Sequence, residues 1–460
     1  MTLDLTNFKF QSHYIGLWSR KEYPGEKLSG TLFIEGQNIW VELFFELTSD
    51  SFPENLESIS GVTYSTDSNG KDHSANIIAE GLRFEKISHL SNGLWHYKYS
   101  VSEIFIYEGS FQKEYIQSID IKASIFNEWT ANILESAFFD VSKANIPSDH
   151  YIIHHYPPCH HWLLNCDIMS AYFSFIPTYS YGRGNRSVEQ QAILHISFRQ
   201  KKCFDDAMQL CNQIIYLLYL VTNRVFPVEY LLLESNCNDK CFYKASGSYS
   251  YQYIKNYTNI DSHTFSTDFS EAEIKEISKA WIDLYSDYAG AINSFFESHT
   301  NIYTRPASLI NNYISVIETL SQSIDKKKAH LDDSTKNARL LINMINQYNI
   351  GKQDATKLKQ AFLMVKGTEL KSRLSVFLDS IKDYLPYDFD EYYIKKIINT
   401  RHKITHPKSK QEPYYYSKDF PRLASELSLS IHIYLLKTTG VKPEIINRLV
   451  QTRGLAAGLS

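Results

Sequence analysis

Ile397-Ile-Asn-Thr-Arg-His-Lys-Ile-Thr-His-Pro407 is the stretch of this 460-residue chain from which the fold class of its C-terminal part and its chemistry are read. His402 and His406 stand four positions apart, hence on one helical face, while Ile394, Ile397, Ile398 and Ile404 offer core contacts. Pro407 excludes a further helical turn, so the helix ends at the second histidine. An always-charged guanidinium, Arg401, is thereby placed at a helix end beside imidazoles, which exchange protons near neutral pH. RNA cleavage without a metal needs these two kinds of group. A base takes the 2′-hydroxyl proton, an acid protonates the leaving 5′-oxygen, and a cation stabilises the charged phosphorane. The spacing alone does not decide, because an arginine with a histidine five positions on also occurs in solvated turns.

Outward from this segment the pattern stays helical. Ser270 with Glu273 three residues later has the form of a capping box. Thr304-Arg305-Pro306 opens a second helix, with Pro in its first turn. Ile310, Tyr313, Ile314, Ile317, Leu320 and Ile324 form its apolar stripe. Further helices are expected over Lys336–Gln347, Leu370–Tyr384, Glu391–His406 and Phe420–Lys437, a bundle of about five. Residues 301–460 hold 25 Lys and Arg against 15 Asp and Glu, a net +10, so the first 300 carry −14 of the overall −4. A basic end on an acidic remainder suits a polyanion-binding module, although lysine-rich helices also serve solubility.

Residues 1–135 read as β. Gly30 to Leu47 holds two apolar runs around a Glu35–Asn38 turn, a hairpin signal, and further strands fit Leu94–Tyr99, Ile104–Glu108 and Ile116–Phe126. Turn chemistry recurs at Tyr23-Pro24-Gly25, Asp67-Ser68-Asn69-Gly70 and Ser91-Asn92-Gly93, which suggests a sandwich or barrel-like sheet. Residues 136–265 are mixed α/β, with a strand over Val188–Phe198 and a buried helix over Phe204–Val221 that sets Met208, Cys211, Ile215 and Leu218 on one face. Ser246–Ser266 has linker composition, and 266–460 is the helical region. Tyr181-Gly-Arg-Gly-Asn-Arg186 lacks the ending of a phosphate loop and reads as a turn.

A hydrophobic fraction of 43% and a charged fraction of 21% are those of a folded globular chain, and the 33 tyrosines suit strands and interfaces. Met1 to Phe10 has no apolar core behind positive charges, and the longest apolar run, Ile214–Val221, falls far short of the roughly twenty residues of a membrane span. Six cysteines are no disulfide framework, so a cytoplasmic location without membrane partners is expected.

Around the Arg–His motif lie Lys395, Lys396, Lys403, Lys408 and Lys410, followed by Tyr414-Tyr415-Tyr416 and Lys418. Cations interleaved with aromatics are what single-stranded RNA requires, charge for its backbone and rings for splayed bases. The other reading is a solvated loop whose tyrosines pack on the bundle. Soft ligands gather elsewhere, and Cys159, Cys237, Cys241 and His160 are a candidate set for a structural zinc, although their spacing is irregular and buried free cysteines are common. No carboxylate cluster with metal-ligand spacing lies near the motif, which disfavours a metal-dependent nuclease.

An arginine, a polar residue, three more residues and a histidine, late in a helical bundle and after an amphipathic helix, resemble the HEPN superfamily of metal-independent ribonucleases. Asn399 to His406 looks like the C-terminal domain of the ApeA family, and Leu309 to Leu320 resembles that family's first bundle helix, with Glu318 at its acidic position. Gly16-Leu-Trp18, Pro24-Gly25, Gly30-Thr-Leu32, Ile59-Ser-Gly61 and Asn127-Glu-Trp129 look like the family's N-terminal β domain. The resemblance implies an α+β multidomain chain: a β-rich N-terminal domain, a mixed middle region and an all-α HEPN-like bundle. It implies Arg401 and His406 as the catalytic pair, with Glu318 holding Arg401. The family often has Asn after the arginine where this chain has His402, which would orient the arginine or the phosphate or share proton transfer. It further implies an anti-phage effector in which the larger part senses a phage-derived trigger and a homodimer or higher homo-oligomer cuts RNA, plausibly tRNA, with no cofactor for catalysis. Two rivals stand beside it: a non-catalytic HEPN-like module that grips RNA or a nucleotide, and an interaction protein whose β domain acts alone.

Overall fold

Alternation of apolar and polar residues builds the N-terminal strands, and closing them on one another builds their core. The computed structural model describes residues 13–21, 23–36, 38–46, 55–66, 72–90, 94–107, 111–123, 126, 161–182, 185–222, 228–235, 239–246, 270–300, 304–325, 370–387, 389–408 and 412–456. It divides into two compact units, Met1–Lys275 and Glu276–Ser460. The boundaries expected at 135/136 and 265/266 fall outside the described residues.

Among the described residues the first unit builds one antiparallel sheet of 13 strands. Its early strands are β1 (His13–Arg20), β2 (Tyr23–Glu35), β3 (Asn38–Glu46), β4 (Asn55–Thr66), β5 (Asp72–His89), β6 (Leu94–Ser100) and β7 (Glu103–Tyr107). The hairpin read around Glu35–Asn38 is β2–β3, with those two residues paired. The chain turns at Lys21 rather than at Pro24-Gly25, because Arg20 already pairs with Tyr23 and both turn-forming residues continue as strand β2. A β4–β5 pairing joins β4, β1, β2, β3, β6 and β5 into a closed barrel, so these strands leave no free edge among themselves.

Trp18 fills the barrel and is 1% exposed. It pairs with Leu28 on one side and Gly61 on the other. A Cβ on Gly61 would lie 2.6 Å from Trp18 Cε3, and one on Gly30 would lie 3.1 Å from Trp18 Cδ1. The separated Gly–Trp, Gly–Thr and Ser–Gly fragments are thus one packing unit, an indole seated where two strands carry no side chain.

β7 leaves the barrel to extend the sheet through β8 (Ile116–Lys122), β9 (His161–Asn165), β10 (Met169–Gly182), β11 (Asn185–Lys202), β12 (Tyr230–Ser235) and β13 (Lys240–Ala245), in the order β7-β13-β12-β8-β11-β10-β9. Tyr181 and Gly182 end β10 and pair with Arg186 and Asn185 of β11, so the turn read over Tyr181–Arg186 is strand at these four positions, and its middle two lie outside the described residues. Helix α1 (Phe204–Thr222) packs on β11 and β8; it buries Cys211, Ile215 and Leu218 of the expected face, leaves Met208 half-buried, and from Ile214 to Thr222 is buried on every side rather than along one stripe.

Helix α2 (Glu271–Thr300) begins in the first unit, at the expected capping box, and its residues from Glu276 on belong to the second. Glu273 N donates to Ser270 Oγ at 3.3 Å, and Ser270 N donates to Glu273 Oε2 at 2.8 Å. Helix α3 (Pro306–Asp325) buries Ile310, Tyr313, Ile314, Ile317 and Leu320. Residues 370–381 form α4, followed by α5 (Glu391–Thr405), α6 (Phe420–Thr438) and α7 (Pro443–Ala456). Lys336–Gln347 lies outside the described residues. Helix α6 is buried almost continuously from Glu426 to Leu436, which makes it the central helix against which α3 and α7 pack. Gly440, at φ +82°, ends it with Val441 N donating to Leu436 O and Gly440 N to Lys437 O, a left-handed cap that an L side chain would strain. No helix among the described residues is long and apolar enough to cross a membrane.

Candidate active site

Helix α5 is the element on which the motif is mounted. Asp390 caps its start, accepting from Tyr393 N at 2.7 Å. Ile394 and Ile397 are buried and fix its rotation in the bundle. His406 is the residue beyond its last turn, with its N donating to His402 O at 2.8 Å, so the histidine that closes the motif is also the C-cap.

The rotation sorts the motif's side chains. At about 100° per residue, His402 lies a quarter turn from Arg401, and His406 returns to the His402 side one turn later. Arg401 points along the side that carries Ile394 and Ile397, where Arg401 Nη1 donates to Glu318 Oε2 of α3 at 2.7 Å. The two side chains are 28% and 26% exposed, so the ion pair is partly screened yet reachable. His402 and His406 are exposed, with ring centroids 5.2 Å apart at an interplanar angle of 67°. The structure thus brings Arg401, Glu318, His402 and His406 to one end of α5.

The buried polar residues of α5 hold the segment that follows it. Asn399 Nδ2 donates to Pro413 O at 3.0 Å, and Tyr415 N donates to Thr400 Oγ1 at 2.8 Å. Both side chains are buried, Thr400 completely. Residues 413–415 are thereby laid along α5, with Tyr415 under Lys396, whose Nζ sits 3.9 Å from the ring centroid. Lys403 Nζ lies 5.5 Å from the centroid of Tyr414. Lys395 and Lys408 are exposed, Lys396 and Lys403 half-buried, and Lys410 is outside the described residues.

Beneath this surface Glu426 of α6 is 4% exposed and satisfied on both oxygens, with Tyr393 Oη donating to Oε2 at 2.9 Å and Arg422 Nε to Oε1 at 2.9 Å. Burial first, then the neighbouring Tyr387 and Glu426, push the Tyr393 hydroxyl far above its usual range, which keeps it a donor. Burial and the Glu426 carboxylate likewise push Tyr415 up to about 12. Of these positioning residues, Tyr393 and Glu426 are not marked in the sequence, Asn399 and Thr400 enter there only within the family string, and Tyr415 only as one ring of the tyrosine run. The available signal was polar residues on the turns of α5 that also carry its core isoleucines.

Of the candidate zinc ligands, Cys159, His160 and Cys237 lie outside the described residues. Cys241 is fully buried on β13, where burial pushes its thiol up. No group of His, Cys, Asp and Glu among the described residues is arranged to hold a metal.

A family model described as ApeA N-terminal domain 1 matches residues 13–283, and one described as Apea-like HEPN matches residues 311–445. The first spans the barrel, the extended sheet and the start of α2; the second runs from α3 into α7 and includes Glu318, Arg401 and His406. No curated protein and no solved structure matches the chain.

Proposed function

The chain belongs to the ApeA family, whose domains fit anti-phage defence nucleases, and from that premise we propose that it is a metal-independent endoribonuclease. The observation that supports this reading best is the meeting of Arg401, held by Glu318, with His402 and His406 at one helix end beside a cationic, aromatic surface.

One histidine removes the proton from a 2′-hydroxyl, and the 2′-oxygen forms a bond to phosphorus. The bond from phosphorus to the 5′-oxygen breaks as a second imidazole returns a proton to that oxygen. Arg401 faces the dianionic phosphorane between the two steps, and Glu318 keeps its guanidinium in place. The products are a 2′,3′-cyclic phosphate and a 5′-hydroxyl. His406 is the assigned proton carrier; His402 shares that role or orients the phosphate. A second copy of the chain supplies the opposite wall of the cleft, as HEPN domains often act in pairs. Lys395, Lys396, Lys403, Lys408, Lys410 and Tyr414 hold the RNA, a tRNA in this reading, in the cytoplasm. The acidic N-terminal unit answers a phage-derived trigger.

Synthetic RNA carrying a single 2′-deoxy nucleotide at the mapped cut tests the chemistry. Cleavage should vanish at that position and persist elsewhere. Continued cutting there, or products with a 3′-hydroxyl, would remove 2′-oxygen attack from the account.

A further inference from the structure

The tyrosines after the motif are not equivalent. Tyr415 is turned onto α5 by its backbone bond to Thr400, with its ring under Lys396 and 6.5 Å from Tyr393. Alternation along an extended segment sends Tyr414 and Tyr416 to the other side. Their rings lie 5.2 Å apart at 56°, and Tyr416 is 59% exposed. Tyr414 beside it is half-buried. Around α5, Lys403 lies about a quarter turn beyond His402 on the side away from Arg401, and Lys403 is the cation over Tyr414. The order across the surface is therefore Arg401, the histidines, Lys403, and then the tyrosine pair.

Along that order phosphate chemistry stands at one end and a π face at the other, with a cation between them, which is the succession of groups that a nucleotide and the next phosphate present. Resting on the ribonuclease reading above, we propose that Tyr414 and Tyr416 form a stacking platform for the base adjoining the scissile phosphate, so that the substrate must present unpaired nucleotides. A base held in a duplex has both faces covered by its neighbours and cannot lie on these rings. Asn399 and Thr400 act as positioning residues, because they set the height of the platform relative to the histidines.

The test uses the full-length chain carrying His406→Ala, so that RNA is bound uncut, and a hairpin RNA with 2-aminopurine in its loop. Stacking quenches that fluorophore. Quenching on binding is expected, lost in Tyr414→Ala/Tyr416→Ala and kept in Tyr414→Phe/Tyr416→Phe, with affinity for the loop falling about five- to a hundredfold in the alanine variant. The same RNA closed into a continuous duplex should bind without quenching. Equal quenching in the alanine and phenylalanine variants, or none with any of them, overturns the platform. Cleavage by the otherwise native chain, with and without Arg401→Ala, is scored separately. Loss of quenching specificity with Arg401-dependent cutting intact sinks the platform alone, whereas cutting that ignores Arg401 sinks the ribonuclease reading beneath it.

Discussion

Arg401 Nη1 donates to Glu318 Oε2 at 2.7 Å, an ion pair that ties α5 to α3 across 83 positions of sequence. The guanidinium therefore reaches the motif already oriented, with its remaining donors available to a phosphate. A pair about a quarter exposed on each side contributes only about 0–1 kcal/mol to stability, so its value lies in placement.

Glu318→Gln should then lower kcat on RNA by about ten- to a hundredfold while thermal unfolding hardly moves, since small misplacements near the reacting atoms cost about that much. Comparison of kcat with KM separates orientation from binding. An unchanged kcat, or a collapse of the fold, would show that the pair does not serve the site.

The barrel makes a separate prediction about packing. Alanine at Gly61 would set a Cβ 2.6 Å from the buried Trp18 ring, which has strand neighbours on both sides. Gly61→Ala should destabilise the first unit by about 1–3 kcal/mol, and Gly61→Ala combined with Trp18→Leu should cost less than the sum of the two. Additive losses in chemical unfolding would mean that the glycine and the indole are not one packing unit.

Local signals carried much of this fold, and long-range ones little. The Ser270–Glu273 box, the Glu35–Asn38 turn and the Phe204–Val221 helix each rest on contacts within a few residues, where residue type nearly determines geometry. Pro24-Gly25 misleads because its turn chemistry is satisfied at the start of a strand, one step after the chain has turned. The helix Pro443–Ala456 was passed over, although Gly440 and Pro443 mark the end of one helix and the start of the next. Around the site, Arg401, His402 and His406 were legible as a cluster because one helix holds them. The partnership with Glu318 came only from family resemblance. Thr400 and Asn399 were unreadable as supports, because their partners at 415 and 413 follow a reversal of the chain.

Charge in the first unit should make its stability depend on pH. Glu103 is held above the ordinary carboxylate value of 4.5, first by burial, with a Tyr243 hydrogen bond and Lys113 opposing and Glu80 adding to the rise. A carboxyl with a raised folded pKa favours the folded state while protonated, so this contribution is present below the ordinary value and is lost as pH rises through and above it. Glu103→Gln should therefore raise the melting temperature at neutral pH and have little effect near pH 4. A stabilisation equal at both pH values would place the cause elsewhere.

The most direct measurement is cleavage of total tRNA in EDTA by purified wild-type chain, Arg401→Ala and His406→Ala, each with and without lysate of phage-infected cells. Discrete fragments from the wild type alone, ending in 2′,3′-cyclic phosphate, are the predicted result. Triggered wild type that binds RNA without cutting it, or variants that cut as fast as wild type, would contradict catalysis at this motif.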